Sequence, residues 1–136
     1  MNKAGKISGE TIAETTLTRN KGCFACTIGC GRATKIDDPK FQGHGEGPEY
    51  ETVELMGADC GIDDLAAITK ANYSCNELGM DTITAGATIS CAMELFETGA
   101  LSEKDIGYPL PFGNAPNMFR ALRETALAEL GKLPEG

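Results

Sequence analysis

Cys75-Asn76-Glu77-Leu78-Gly79-Met80-Asp81-Thr82-Ile83 reads as the end of one helix followed at once by the start of another. Gly79 suits a left-handed stop, and Asp81 can accept hydrogen bonds from the first free N–H groups of the next helix. Working back toward the N-terminus, Leu65, Ile68, Ala71 or Asn72, Cys75 and Leu78 form an inward stripe, with Asp63 expected as its cap and Asp64 in the first turn. Going forward, Ile83, Ala87, Ile89, Cys91, Met93 and Phe96 lead to Gly99; apolar and small residues surround most of the circumference, which predicts a largely buried central helix. An earlier helix begins at Pro48, with Tyr50, Val53 and Met56 on one face and Gly57 as its stop. A final one is capped by Asn114, carries Pro116 in its first turn, buries Met118, Phe119, Leu122, Ala126 and Leu130, and stops at Gly131.

The remaining segments are less regular. Ser8 can start a helix, but Ile12 and Leu17 are too sparse for a stripe, so residues 7–17 read as an approach segment. Ala33 to Ile36 reads as a short extended piece, and Asp37 to Pro48, dense in Gly, Pro and Asp, as a polar loop. Ala100 to Asp105 makes a short turn, and Tyr108-Pro109-Leu110-Pro111 is extended by proline restriction. No strand-like alternation persists and no repeat is visible, so the expected fold is mainly α. One domain over 1–136 is expected, with a cluster-ligand segment and loop at 1–47 and a helical core at 48–136.

A formal charge of −8 argues against nucleic acid and anionic membrane as partners, since both would repel the chain as a whole. No run approaches the ~18 apolar residues of a membrane span, and Met1 to Lys6 lacks an apolar signal core, so a cytoplasmic chain is expected. A reducing compartment favours metal-bound or free thiols over disulfides for the six cysteines.

The chemistry concentrates in Lys21-Gly22-Cys23-Phe24-Ala25-Cys26-Thr27-Ile28-Gly29-Cys30-Gly31-Arg32. Three cysteines at i, i+3 and i+7 fall on one side of a helical or near-helical turn, so three sulfurs can converge on one point. An iron–sulfur cluster is the first reading and zinc the second, because both accept sulfur ligands; plain buried cysteines are the alternative. Two other readings follow from the same thiols. One is a stand-alone electron-transfer subunit recruiting Cys60, Cys75 or Cys91 as fourth ligand, the other a structural zinc module.

Taken together, Ile7-Ser8-Gly9-Glu10, the Cys23-x-x-Cys26-x-x-x-Cys30 spacing, Gly47-Pro48-Glu49-Tyr50-Glu51-Thr52 and Cys75 to Ile83 resemble the tungsten-dependent aldehyde:ferredoxin oxidoreductase family, and in particular its middle, helical domain. The resemblance implies a part of an enzyme that oxidises aldehydes to carboxylic acids at a tungsten held by two pterins, passing electrons through a 4Fe-4S cluster to ferredoxin. Cys23, Cys26 and Cys30 match three cluster ligands; the family's fourth lies in a downstream Asp-x-x-Gly-Leu-Cys motif that these residues do not contain. Asn76, Gly79, Met80 and Asp81 match the family's first pterin motif, Asp-x-x-Gly-Leu-Asp, with Asn76 and Met80 departing from the usual Asp and Leu. Asn76 keeps an acceptor oxygen but carries no charge. Glu49 resembles the glutamate near the metal that assists proton transfer, with Glu51 as the alternative. Arg32 resembles a basic residue lying between cluster and pterin, whereas His44 reads as a solvated loop residue. The implied partners are ferredoxin, the remaining domains or subunits of the enzyme, a homodimer mate and the aldehyde; the chain by itself is expected to be inactive.

Overall fold

Several helix boundaries in the computed structural model, which describes residues 3–130, follow from side chains that satisfy free N–H groups at the helix start. Ser8 accepts from the Thr11 N–H and opens α1 (Gly9–Thr15) after a 3₁₀ turn at Lys3–Ile7. Asp64, rather than Asp63, caps α3 (Leu65–Leu78) by accepting from the Ala67 N–H at 3.1 Å. Asp63 instead pairs with Lys6 at 2.7 Å, which ties the N-terminal turn to the head of α3. Asp81 opens α4 (Thr82–Glu97), and Asn114 accepts from the Asn117 N–H at the start of α6 (Ala115–Leu130). The expected stop at Gly131 lies outside the described residues. Between α4 and α6, Glu103–Ile106 forms the one-turn helix α5, where the sequence reads as a turn.

The helix beginning after Pro48 does not stop at Gly57. Its α-helical part, α2 (Tyr50–Val53), passes directly into a π-helix, Glu54–Asp59. Gly57 is buried where a Cβ would come 2.8 Å from Ile68 Cδ1 and 3.1 Å from Ile7 Cδ1, so the glycine permits close packing rather than ending the helix. Tyr50 does not join Val53 and Met56 inside; its side chain is 70% exposed while theirs are buried.

The chain is mainly α, as expected, and adds a three-stranded antiparallel sheet where the sequence signals only one short extended piece. Strands β1 (Leu17–Lys21), β2 (Gly31–Ile36) and β3 (Gly43–Glu46) lie in that order, with Thr34 opposite Gly45 and Lys35 opposite His44. The extended piece expected at Ala33 to Ile36 is the heart of β2, but β3 falls inside the stretch expected to be loop, and His44 is an exposed strand residue. The inward positions of β3 are Gly43 and Gly45, where a Cβ would sit 3.1–3.3 Å from the ring carbons of Tyr73 on α3. One aromatic ring from a helix thus fills the space of two strand side chains, which erases the apolar alternation that marks a strand. The same tyrosine shares a 2.6 Å hydrogen bond with the Thr34 hydroxyl, and Asn72 donates to the Glu46 carbonyl at 2.9 Å.

The core gathers Met56, Ile68, Met93, Met118 and Leu122 from four helical segments, all 2% exposed or less. Phe41 stacks on Phe119 with ring centroids 5.5 Å apart, anchoring the 37–42 connection to α6. Helix α4 buries only Gly86, Ile89 and Met93. Ile83, Ala87, Cys91 and Leu95 are exposed, so the expected burial all round does not hold among the described residues, which pack on one side of this helix only.

Candidate functional site

The cysteine-bearing segment is the connection between β1 and β2, not a helix. Its first part is a tight turn, with the Cys26 N–H donating to the Cys23 carbonyl at 3.0 Å, and the backbone turns left-handed at Ala25 (φ 58°) and again at Gly29 (φ 61°). A run that reverses twice cannot keep the i, i+3, i+7 stacking of a helix, so the helical or near-helical turn expected for these cysteines is replaced by a doubly reversed loop. Cys23, Cys26 and Cys30 are exposed free thiols. Among the described residues, no three His, Cys, Asp or Glu side chains are gathered as a group that would hold a metal ion. The backbone N–H groups of Ile28 and Gly29 do point at the Cys26 sulfur, and they lower its pKa by favouring the thiolate. Phe24 and Ile28 stand out in solvent beside these thiols, 103% and 81% exposed.

Cys60 and Cys75 are of a different kind. Both have zero exposure, and burial pushes their thiols up to about 12 and about 11, with Asp59 and Asp81 adding to the respective shifts. In this arrangement both are held in the core as protonated thiols, unlike the exposed thiols of the loop. Cys91 is exposed on α4.

Arg32 lies on β2, and its carbonyl accepts from the Gly47 N–H at 2.6 Å. Gly47 has no room for a side chain: a Cβ would come 2.7 Å from Thr34 Cγ2 and 3.3 Å from Arg32 Cβ. This close approach sets Pro48 and Glu49 against the end of β2 nearest the cysteines. Glu49 stands at the N-cap of α2 but makes no capping hydrogen bond with its side chain; both it and Glu51 are exposed. Arg32 and Tyr50 line one mostly apolar hollow of about 350 Å³ with Ile7, Ile12 and Val53.

The second motif forms the corner between α3 and α4. Gly79 adopts the left-handed conformation (φ 69°), and the Met80 N–H donates to the Cys75 carbonyl at 2.8 Å. Asp81 accepts from the Thr84 N–H at 2.7 Å, and hydrogen bonds from the Thr84 side chain and backbone hold its carboxyl below the usual range. Asn76 and Asp81 are exposed, and Met80 is half-buried. The two corners are tied together, since the Thr52 and Thr82 hydroxyls share a 2.8 Å hydrogen bond that joins the first turn of α2 to the first turn of α4. Deeper in, a Cβ on Gly86 would meet Leu55 Cβ at 2.8 Å and the backbone at Leu55 and Met56 at 3.1 Å, so α4 lies directly on the π-helix. The structure therefore brings Arg32, Glu49 and the Asp81 corner to neighbouring elements. Thr52, Thr82 and Gly86, which make that juxtaposition, carry no signal in a sequence where threonine and glycine are common.

A family model described as "Aldehyde ferredoxin oxidoreductase, domains 2 & 3" matches residues 1–133. The chain belongs to the aldehyde ferredoxin oxidoreductase family. It is 46% identical over 133 residues to the tungsten-containing aldehyde ferredoxin oxidoreductase of Pyrococcus furiosus, covering 95% of this chain and 22% of that protein. Against the Pyrococcus horikoshii protein of the same name it is 50% identical over 111 residues, 79% of this chain and 18% of that protein. A more distant relative, the WOR-like subunit of an aliphatic sulfonate oxidoreductase from Pyrococcus furiosus, is 29% identical over 92 residues, covering 67% of this chain and 15% of that protein. The chain thus spans about a fifth of the length of the tungsten-containing aldehyde ferredoxin oxidoreductases it matches. No helix among the described residues is long and apolar enough to cross a membrane.

Proposed function

We propose that the chain supplies one wall of the redox site of a tungsten-pterin aldehyde:ferredoxin oxidoreductase. In this reading Cys23, Cys26 and Cys30 hold a 4Fe-4S cluster, Asn76, Gly79, Met80 and Asp81 contact a pterin, and Glu49 is the carboxylate of proton transfer. Held by these residues, the metal–pterin group would supply two-electron oxidation chemistry and the cluster one-electron transfer toward ferredoxin. The observation that carries the reading is the β1–β2 connection itself: three free thiols, backbone N–H groups aimed at one of them, and two large apolar side chains with nothing over them. Such a loop has the donor chemistry of a cluster site and needs a body to close over it, which suits a ligand set completed from another part of the same enzyme.

The chain's own residues have defined tasks. The Glu49 side chain, not engaged in capping, is free to accept a proton from water or substrate. Asp81 accepts from both the N–H and the side chain of Thr84 and offers its remaining acceptor capacity to pterin N–H donors. Arg32, beside the hollow shared with Tyr50, puts a positive charge between the thiols and the α2 start, which would favour an anionic cofactor there. Cys60 and Cys75 pack in the core and take no part.

Anaerobic reconstitution of the purified chain with iron, sulfide and a small thiol as exogenous fourth ligand tests this. About four irons and matching sulfide per chain are expected, lost in each of Cys23→Ser, Cys26→Ser and Cys30→Ser but not in Cys91→Ser. Aldehyde-dependent viologen reduction by the chain alone should be absent. Zinc binding without sulfide, or a cluster indifferent to these substitutions, would overturn the reading.

A further inference from the structure

The outer face of the sheet opposes the charge of the molecule. From Thr15 to Ile36 the sequence holds four of its twelve Lys and Arg residues and none of its twenty Asp and Glu. Strand register then sorts them: Thr34 and Ile36 turn inward, so Lys35 on β2, Arg19 and Lys21 on β1 and His44 on β3 share the solvent face. They border a shallow hollow of about 460 Å³ on that face. Glu46 pairs with Lys21, and Asp37 just beyond β2 pairs with Lys35 at 2.6 Å; Arg19 has no ion-pair partner among the described residues. Cations therefore outnumber anions on this face of a chain whose net charge is −8, and β1 and β2 are the two strands that carry the cysteine connection.

We infer that this sheet face is the docking surface for an acidic one-electron carrier protein. The inference rests on the proposed redox role of Cys23, Cys26 and Cys30, and adds to it where the electron partner lands. A local excess of positive charge on the flank of the thiol loop, on a molecule whose net charge is negative, would steer an anionic partner toward that side. Surface ion pairs such as Lys35 with Asp37 are weak enough to exchange for a partner's carboxylate at little cost. Since the face is polar, the contact would be transient and sensitive to salt, as electron-transfer encounters are.

The test measures binding of a small acidic ferredoxin to the reconstituted chain at about 20 mM and about 300 mM salt, bracketing the change in screening length. Arg19→Glu with Lys35→Glu is compared with Lys104→Glu with Arg123→Glu, an equal charge change on exposed residues of α5 and α6. The first pair should weaken binding at least tenfold at low salt and flatten its salt dependence; the second should change it less than about twofold. If Arg19→Glu with Lys35→Glu shifts the urea midpoint, Arg19→Gln with Lys35→Gln replaces it, with about a threefold loss expected. Equal weakening by both pairs, or no binding by the unmodified chain, overturns the docking surface. Iron and sulfide assayed on the same samples keep the two ideas apart: binding that depends on Arg19 and Lys35 without any cluster supports the surface and sinks the redox role, while a normal cluster without binding does the reverse.

Discussion

The six cysteines divide the molecule into two regions built on opposite principles. Around Cys60 and Cys75, helices meet so closely that a side chain on Gly86 would run into the backbone at Leu55 and Met56 and one on Gly57 would displace Ile68 and Ile7, and thiol ionisation is suppressed by burial. Around Cys23, Cys26 and Cys30 almost nothing packs: the connection is exposed, and its largest side chains point into solvent. The contrast teaches that thiol count says little about ligand sites, whereas the surroundings of each thiol say a great deal. A buried cysteine is an inert small hydrophobe, and an exposed one is available for chemistry.

Gly86→Ala is the sharpest way to break the comparison on the packed side. At an ordinary exposed helix position alanine would stabilise by about 1 kcal/mol over glycine. Here the added methyl meets Leu55 and the π-helix backbone, so a net loss of about 2 kcal/mol is expected, read as a lower urea midpoint. A gain in stability would mean that α4 does not lie against Leu55 and Met56.

Thiol labelling under native conditions compares the two regions directly. Cys23, Cys26, Cys30 and Cys91 of the cofactor-free chain should react within minutes and Cys60 and Cys75 only on unfolding, resolved by peptide mass mapping. The raised pKa of the buried pair also fixes a pH trend. Between the ordinary value of 9.0 and the folded values of about 11 and about 12, the unfolded chain sheds protons that the folded chain keeps, so stability is intact below pH 9.0 and falls as pH rises above it. A stability that stays flat from pH 9 to 11 would contradict the burial.

Phe24→Ser should do least. Its ring contributes no packing, so the urea midpoint should stay within about 0.5 kcal/mol of the unmodified chain, and solubility should rise. A marked destabilisation would show that the loop is packed against the fold.

What could be read from sequence was local. The Gly79–Asp81 corner is encoded in three adjacent residues, and the structure has the left-handed stop and the carboxylate cap where those residues call for them. Features that depend on distant partners were hidden. Gly57 looks like a helix stop until Ile7 and Ile68 are seen against it, and Asp63 looks like a cap until Lys6 takes its carboxylate. The thiols were legible by type and spacing, but not the doubly reversed backbone between them, since left-handed geometry at Ala25 has no signature in residue type. Burial around α4 was overstated because an apolar circumference records a need for partners, not their presence.

The ring of Tyr73 seated against Gly43 and Gly45 has an evolutionary corollary. Three positions far apart along the polypeptide share one volume, so none of them can drift by itself: a methyl gained on either glycine must be matched by atoms given up on the helix. Relatives should thus inherit this trio as a unit, or exchange it wholesale for ordinary strand residues opposite a small helical neighbour.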